Sequence, residues 1–362
     1  MAQALKKNLT AIFLLFLILN IVGLLVLYSA SILSALNLYQ NPYFFIKRQI
    51  IYLFTIALPG AFILSRLDQK ILEKLSWLIL GVNFIALILV LTPYFSSGNF
   101  KRWLVINGFS IQPAEFYKFS FLLFFSYYLR KINFRRFLFF ILFTLVSLLL
   151  ILAEKSYSNS LIFFGIAFSL FLCLPFNPKR FIIVFTPFLI ILLIGAILAP
   201  YRIERIKTFL EKNIIQKETS TGFWQIDQAR NAILSGGFWG KGFGQGKIKA
   251  FLPQSYNDTI FAVLGEELGF LGIIFVLTMF YLLIRKLIIL TFLAKNETLK
   301  FFSAGLASWL LIQIAIHLST VTGILPPTGV NFPFFSYGGS SLISLWWSFG
   351  VLFGFFKKSF KI

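Results

Sequence analysis

The sequence is poor in the residues that most often carry chemistry. Its 362 residues include one cysteine, Cys173, and one histidine, His317. A single thiol excludes any disulfide within the chain, and neither a thiolate nor a multi-histidine metal site can be assembled. His317 lies in an apolar segment, where a packed, hydrogen-bonded histidine is a simpler reading than a catalyst. Acids are also scarce, with 12 Asp and Glu against 33 Lys and Arg and a formal net charge of +21. Charged residues make up 12% of the chain, where a soluble domain carries about 25%. Apolar residues are in excess instead: 59% of the chain is hydrophobic, 48 residues are Phe, and the mean hydropathy is +0.87. A disordered chain would be polar and poor in aromatics. A soluble globule could not cover this much apolar surface. The composition is that of an all-α polytopic membrane protein.

Ten apolar spans are expected, each near the roughly 20 residues that a bilayer needs. They lie at about 9–28, 46–65, 75–93, 114–130, 137–153, 158–174, 181–199, 259–284, 301–322 and 340–356, in a single membrane domain over 1–362. Lys6 and Lys7 precede the first span as they would a signal peptide. That apolar run exceeds the 7–15 residues of a signal h-region, so it reads as a retained span. The basic residues then test the topology. With the N-terminus in the cytoplasm, the inner segments carry Lys6, Lys7, Arg66, Lys70, Lys74, Arg130, Lys131, Arg135, Arg136, Lys179 and Arg180. The later inner segments add Arg285, Lys286, Lys295, Lys300, Lys357, Lys358 and Lys361. The short outer loops hold only Lys47, Arg48, Lys101, Arg102 and Lys155. The positive charge is therefore mostly topological, both termini are expected to be cytoplasmic, and no nucleic-acid partner is implied.

One long outer loop is expected over 200–258. Ile203, Ile206 and Leu210 share a helical face there, as in a helix lying on a membrane surface. A second short helical pattern follows at about 224–234. Next comes the glycine-rich run Ser235-Gly-Gly-Phe-Trp-Gly-Lys-Gly-Phe-Gly-Gln-Gly246. It is neither a dinucleotide fingerprint nor a phosphate-binding P-loop, because the flanking elements and spacing are wrong. Two readings stand level: a tight loop that needs unusual backbone angles, or amides with Lys241, Lys247 and Lys249 around an anionic head group.

Ionisable residues at membrane spans are functional candidates by default. Glu115 and Lys118 open the fourth span at i, i+3 spacing, where they can pair; Lys118 could equally meet a phosphate. Asp258 stands at the start of the eighth span, with Glu266 and Glu267 about two helical turns further on. A carboxylate at the outer mouth suits a general base on a sugar hydroxyl or a ligand of a divalent cation. The competing reading of Asp258 is a helix N-cap. The last outer loop, Gly323 to Ser341, is rich in Pro and Gly and reads as a rigid re-entrant cavity wall.

These residues resemble the SEDS proteins, for shape, elongation, division and sporulation. The resemblance runs from Tyr28-Ser-Ala-Ser31 through Lys101-Arg-Trp103, Gln112-Pro113 with Glu115 and Lys118, Tyr201-Arg202 with Phe209-Leu210, and Ser235-Gly-Gly237 with Gly240-Lys-Gly242. It continues through Asp258 with Ile260-Phe-Ala262 and Gly265-Glu-Glu-Leu-Gly269 to Pro333-Phe-Phe-Ser-Tyr-Gly-Gly-Ser-Ser341. The resemblance implies a peptidoglycan glycosyltransferase that polymerises lipid II at the outer face of the bacterial cytoplasmic membrane. It implies a class B penicillin-binding protein and other division proteins as partners. It places the family's essential loop aspartate on Asp258, as general base or as metal-assisted activator, with Mg or Mn as the cation if one is used. Arg102, Trp103, Lys118 and Lys241 would bind substrate. Glu115, Glu154, Glu266, Glu267, Ser336 and Tyr337 would be structural or line the cavity. Ser156 departs from the pattern, because many members carry an aspartate there; Glu154 is the neighbouring carboxylate that could compensate. Tyr28-Ser-Ala-Ser31 and Gly265-Glu-Glu-Leu-Gly269 look more like the FtsW-like division branch than the RodA-like elongation branch. A lipid II flippase is the rival of another class. It should carry ionisable residues near mid-membrane, whereas the carboxylates here lie at the outer ends of spans.

Overall fold

The structure is a computed structural model that describes residues 2–92, 102–106, 109–175, 186–188, 190–191 and 221–359. The long apolar runs form helices: α1 (Ala2–Tyr39), α2 (Phe44–Tyr52), α3 (Leu58–Arg66) and α4 (Gln69–Leu91). A π-helical segment, Leu53–Ala57, joins α2 to α3 into one rod. Pro59 has no N–H to give the preceding turn, which is where such a widening is tolerated. Two short strands follow, β1 (Leu104–Ile106) and β2 (Phe109–Ile111), paired antiparallel with Leu104 opposite Ile111. Then come α5 (Pro113–Tyr128), α6 (Phe134–Ala153), α7 (Tyr157–Leu172), α8 (Thr221–Gly236), α9 (Ile260–Leu293), α10 (Glu297–Val321) and α11 (Gly339–Ser359). Side-chain caps start three of them: Asp68, Asn133 and Asn296 accept backbone N–H bonds at α4, α6 and α10.

Among the described residues, six rods are long and apolar enough to cross a membrane: α1, α2 with α3, α4, α6, α9 and α10. The apolar helices α7 and α11 are shorter. Described helices occupy nine of the ten expected spans. The tenth, 181–199, lies largely outside the described residues, as does the surface helix expected at 203–210. The helical pattern expected at 224–234 is α8.

The short helix α5 is the hub. It packs against α4, α7, α10 and α11, and of Pro113 to Tyr127 only Phe116 escapes full burial. At 16 residues it is about 24 Å long. It can carry Glu115, Lys118, Ser120 and Ser126 because protein, rather than lipid, surrounds it. The apolar faces of the outer rods point away from this hub: Leu14, Ile21, Phe62, Leu78, Leu142 and Phe275 are all exposed.

α9 is two helices joined at Gly269, whose φ of 64° and ψ of −165° interrupt the ladder. The amides of Phe270 and Leu271 leave the helix and donate to Gly237 O and Phe238 O, at 2.9 and 3.2 Å. The freed carbonyls of Glu266 and Glu267 accept from Lys241 N and Gly242 N, both at 3.0 Å. The glycine-rich loop is thus sewn into the break by four exchanged bonds. Contact is backbone to backbone: a Cβ on Gly240 would stand 2.2 Å from Glu267 O. The tight-loop reading of the glycine run therefore holds.

Candidate functional site

At one end of the bundle, five segments converge on a polar cavity of about 270 Å³. The strand hairpin supplies Arg102 and Trp103, and the start of α5 supplies Gln112 and Glu115. The α6–α7 turn gives Ser156 and Asn159, and the turn before α9 gives Gln254, Asn257 and Asp258. The last loop closes the far wall with Thr328, Gly329, Val330 and Asn331. All of these groups sit at helix ends and turns, where polar backbone is tolerated.

Asp258 stands outside the helix that follows it. Thr259 occupies the N-cap position of α9, so the N-cap reading of Asp258 is overturned. Its carboxylate makes no hydrogen bond with the described residues and is left for the cavity. Burial pushes its pKa up to about 6, and the Arg102 charge partly offsets that rise. A carboxylate poised near neutrality is what proton removal from a hydroxyl requires. Gly329, at φ 67°, faces it. A Cβ there would stand 3.5 Å from Asp258 Oδ2, so the missing side chain keeps the space beside the carboxylate open.

Arg102 lines the cavity with its guanidinium anchored behind, Nε donating to Glu154 O at 3.3 Å and an Nη donating to Lys155 O. Trp103 is partly exposed at the rim. Glu154 lies behind Ser156 with both carboxyl oxygens buried and unbonded. Burial raises its pKa well above the ordinary value, against the pull of Arg102. Glu154 therefore stands behind the cavity wall, and Ser156 rather than a carboxylate faces the cavity.

The expected phosphate contacts of Lys118 and Lys241 are corrected by the packing. Lys118 is 1% exposed. It lies 2.7 Å from Glu115 Oε1, near Asn159 Oδ1 and over the ring of Trp309. Burial and these three partners take it out of the cavity, and only Glu115 of the pair lines it. Lys241 turns to Glu266 Oε1 at 3.2 Å. That carboxylate also accepts from the amides of Lys247, Ile248 and Lys249 at 2.8, 2.8 and 3.0 Å. The anion site of the second reading of the glycine loop is thus filled from within by Glu266. Glu267 pairs with Lys249 at 2.6 Å and accepts from Ser29 of α1. Neither glutamate lines the cavity; both fasten the loop.

Ser336 and Tyr337 buttress the turn that bears Asp258. Ser336 Oγ donates to Asn257 O at 2.8 Å, and Tyr337 N donates to Tyr256 O at 2.9 Å. On α10, His317 Nδ1 and Gln313 Nε2 hold successive carbonyls, Val330 O and Asn331 O, at 2.7 and 2.9 Å. His317 is therefore a packed side chain that positions the cavity wall. Sequence reasoning missed Asn159, Gln254, Asn257, Thr328, Gly329 and Asn331. Only the Asn257-Asp258 adjacency could have drawn attention to any of them. Lys249 was one basic residue among many until its burial against Glu267 was seen.

Over residues 9–359 the chain matches the cell cycle protein family of FtsW, RodA and SpoVE. It is 33% identical over 344 residues to a probable peptidoglycan glycosyltransferase FtsW of Trichlorobacter lovleyi, covering 91% of this chain and 88% of that one. It is 36% identical over 350 residues to a protein of the same name from Borreliella burgdorferi, covering 92% of each. Its fold is similar to a chain of a peptidoglycan synthase complex that couples polymerization and crosslinking, with TM-score 0.72, 24% identity and 94% and 98% of the two chains covered. Thermus thermophilus RodA is similar at TM-score 0.66 and 22% identity, with 96% of each chain covered.

Proposed function

From the premise that this multi-pass membrane chain belongs to the FtsW, RodA and SpoVE family of cell cycle proteins, we propose that it is a peptidoglycan glycosyltransferase of septal wall synthesis. The observation that carries the reading is Asp258: a cavity carboxylate with no structural partner, its pKa pushed up to about 6 by burial. The substrates are lipid II molecules, and the cavity faces the outside of the cytoplasmic membrane, with both termini in the cytoplasm. Asp258 takes the proton from the acceptor 4-hydroxyl as that oxygen bonds to the donor anomeric carbon. The bond from that carbon to the pyrophosphate oxygen breaks, and polyprenyl pyrophosphate leaves. Arg102, at the cavity wall beside Asp258, supplies positive charge to the leaving group. Trp103 offers a flat apolar face to a sugar ring.

The cavity offers a divalent cation two carboxylates. Among the described residues no three His, Cys, Asp or Glu side chains form a metal cluster. Asp258 and Glu115 both line the cavity, and Glu115 Oε2 is buried with no partner. Magnesium is often held by one or two carboxylates together with substrate phosphates, and these two residues would hold it. A cation there would neutralise charge on the leaving pyrophosphate. The partner is a class B penicillin-binding protein that cross-links the product strands.

The test is polymerisation of lipid II by the purified protein with its transpeptidase partner. Asp258→Asn should reduce the rate by about 10²–10⁴-fold, the usual contribution of a general base. Undiminished polymer from that variant would remove Asp258 from the chemistry. Transbilayer movement of lipid II without polymer formation would instead support a flippase.

A further inference from the structure

We infer that Asn257 is a specificity-determining residue: its carboxamide reads the 2-acetamido N–H of the acceptor sugar while Asp258 takes the proton from the 4-hydroxyl. The inference rests on the glycosyltransferase reading and adds to it the group on the sugar that is recognised.

Asn257 lines the cavity, and its Oδ1 is buried with no hydrogen-bond partner. An unpaired buried acceptor costs about 1–3 kcal/mol, so a side chain with no structural task would be expected to turn towards a donor. The residue is not loosely placed. Asn257 N donates to Gln254 O at 2.8 Å, and Asn257 O accepts from Ser336 Oγ at 2.8 Å. Ser255 Oγ ties the same turn to Ala30 O of α1 at 2.8 Å. With the backbone held from three sides, the carboxamide has been set in place without a partner in the fold. Glu115 is the other lining residue with an unpaired buried oxygen, but its carboxylate already pairs with Lys118.

The chemistry of the acceptor suits this arrangement. In an N-acetylglucosamine ring the 2-acetamido group and the 4-hydroxyl are both equatorial and flank C3 on one edge. Two consecutive side chains on a fixed turn can meet both groups at once. The amide oxygen accepts the acetamido N–H, and the neighbouring carboxylate reaches the hydroxyl. Gly329 leaves the approach to Asp258 open, and Trp103 stands at the rim for the ring face.

The experiment measures polymerisation by the full-length protein with its partner, using two acceptors: the natural one and an analogue with a hydroxyl in place of the 2-acetamido group. Wild type should prefer the natural acceptor. Asn257→Ala should raise the acceptor KM about tenfold or more, the worth of one hydrogen bond in an otherwise unpaired site, and bring the preference ratio close to one. Asn257→Asp, which keeps an acceptor oxygen, should restore most of the preference. A preference ratio in Asn257→Ala equal to that of wild type, or a loss that falls on kcat for both acceptors alike, overturns the inference and leaves glycosyl transfer standing. A wild-type protein that makes no polymer overturns the glycosyltransferase reading itself.

Discussion

Asp258 and Glu154 are two carboxyls raised by burial near the same guanidinium, and they are put to different ends. Asp258 borders the cavity with its pKa near 6, so it is neutral below that pH and ionised above it. Polymerisation should therefore fall as the pH drops through about 6. Arg102 offsets the effect of burial, so Arg102→Ala should move the acid limb to higher pH, which a kcat/KM–pH profile would detect. The stability consequence has the opposite sign. A folded pKa above the unfolded value makes the protonated form the favoured native form. That contribution is complete below the unfolded value and is lost as pH rises through the folded one. Asp258→Asn should accordingly melt at a higher temperature than wild type at pH 8, and the difference should shrink below pH 6 and close near pH 4. Glu154 is different, because its carboxyl is enclosed and unbonded. Glu154→Gln keeps the shape of the side chain and removes a carboxyl whose charged form burial disfavours. Its melting temperature and polymerisation rate should stay close to wild type.

At the scale of elements, the break in α9 decides where the turn bearing Asp258 sits. The four-bond exchange at Gly269 fastens the glycine-rich loop, and Glu266 holds three consecutive loop amides from inside. That loop leads directly into the turn bearing Asn257 and Asp258. Gly269→Ala should be strongly destabilising. The left-handed backbone region alone costs a non-glycine residue about 1–2 kcal/mol, and a Cβ would lie 2.2 Å from Gly240 N. Glu266→Ala should leave three amides without their acceptor and loosen the same segment. Limited proteolysis within 237–249 would report both effects. Resistance equal to wild type would show that the exchange does not hold the loop.

Across the described residues, a short helix carrying the buried polar side chains Glu115, Lys118, Ser120 and Ser126 sits at the centre, packed by apolar helices. The Glu115–Lys118 pair is almost fully buried there, where desolvation offsets much of the attraction. Removing one partner leaves a bare buried charge, so Lys118→Met should cost about 3–5 kcal/mol. Replacing both, Glu115→Met with Lys118→Met, should cost less than the single change. Thermal unfolding of the purified protein in detergent, wild type against both variants, would settle the order. An equal or larger loss in the double variant would contradict the account.

Apolar run length and basic-residue placement determine that this chain is a helical membrane protein, because each span must satisfy its own backbone in lipid. Local sequence alone also marks where most of the described helices lie. Asp258 was legible for a related reason: with so few acids, one standing before an apolar run is conspicuous. The fate of the lysines was not legible, since a basic residue looks the same whether it meets a phosphate or a glutamate folded back from afar. Lys249 meets Ser29 across 220 residues of chain, and Lys241 meets Glu266 only because Gly269 breaks the helix. The cavity was hidden for the same reason. Its walls come from five segments that are distant in sequence, and their single polar side chains carry no period to read. Local hydrophobicity therefore determined what kind of molecule this is. Only tertiary packing decided which polar groups are consumed by the fold and which, like Asp258 and Asn257, line the cavity without a side-chain hydrogen bond to the described residues.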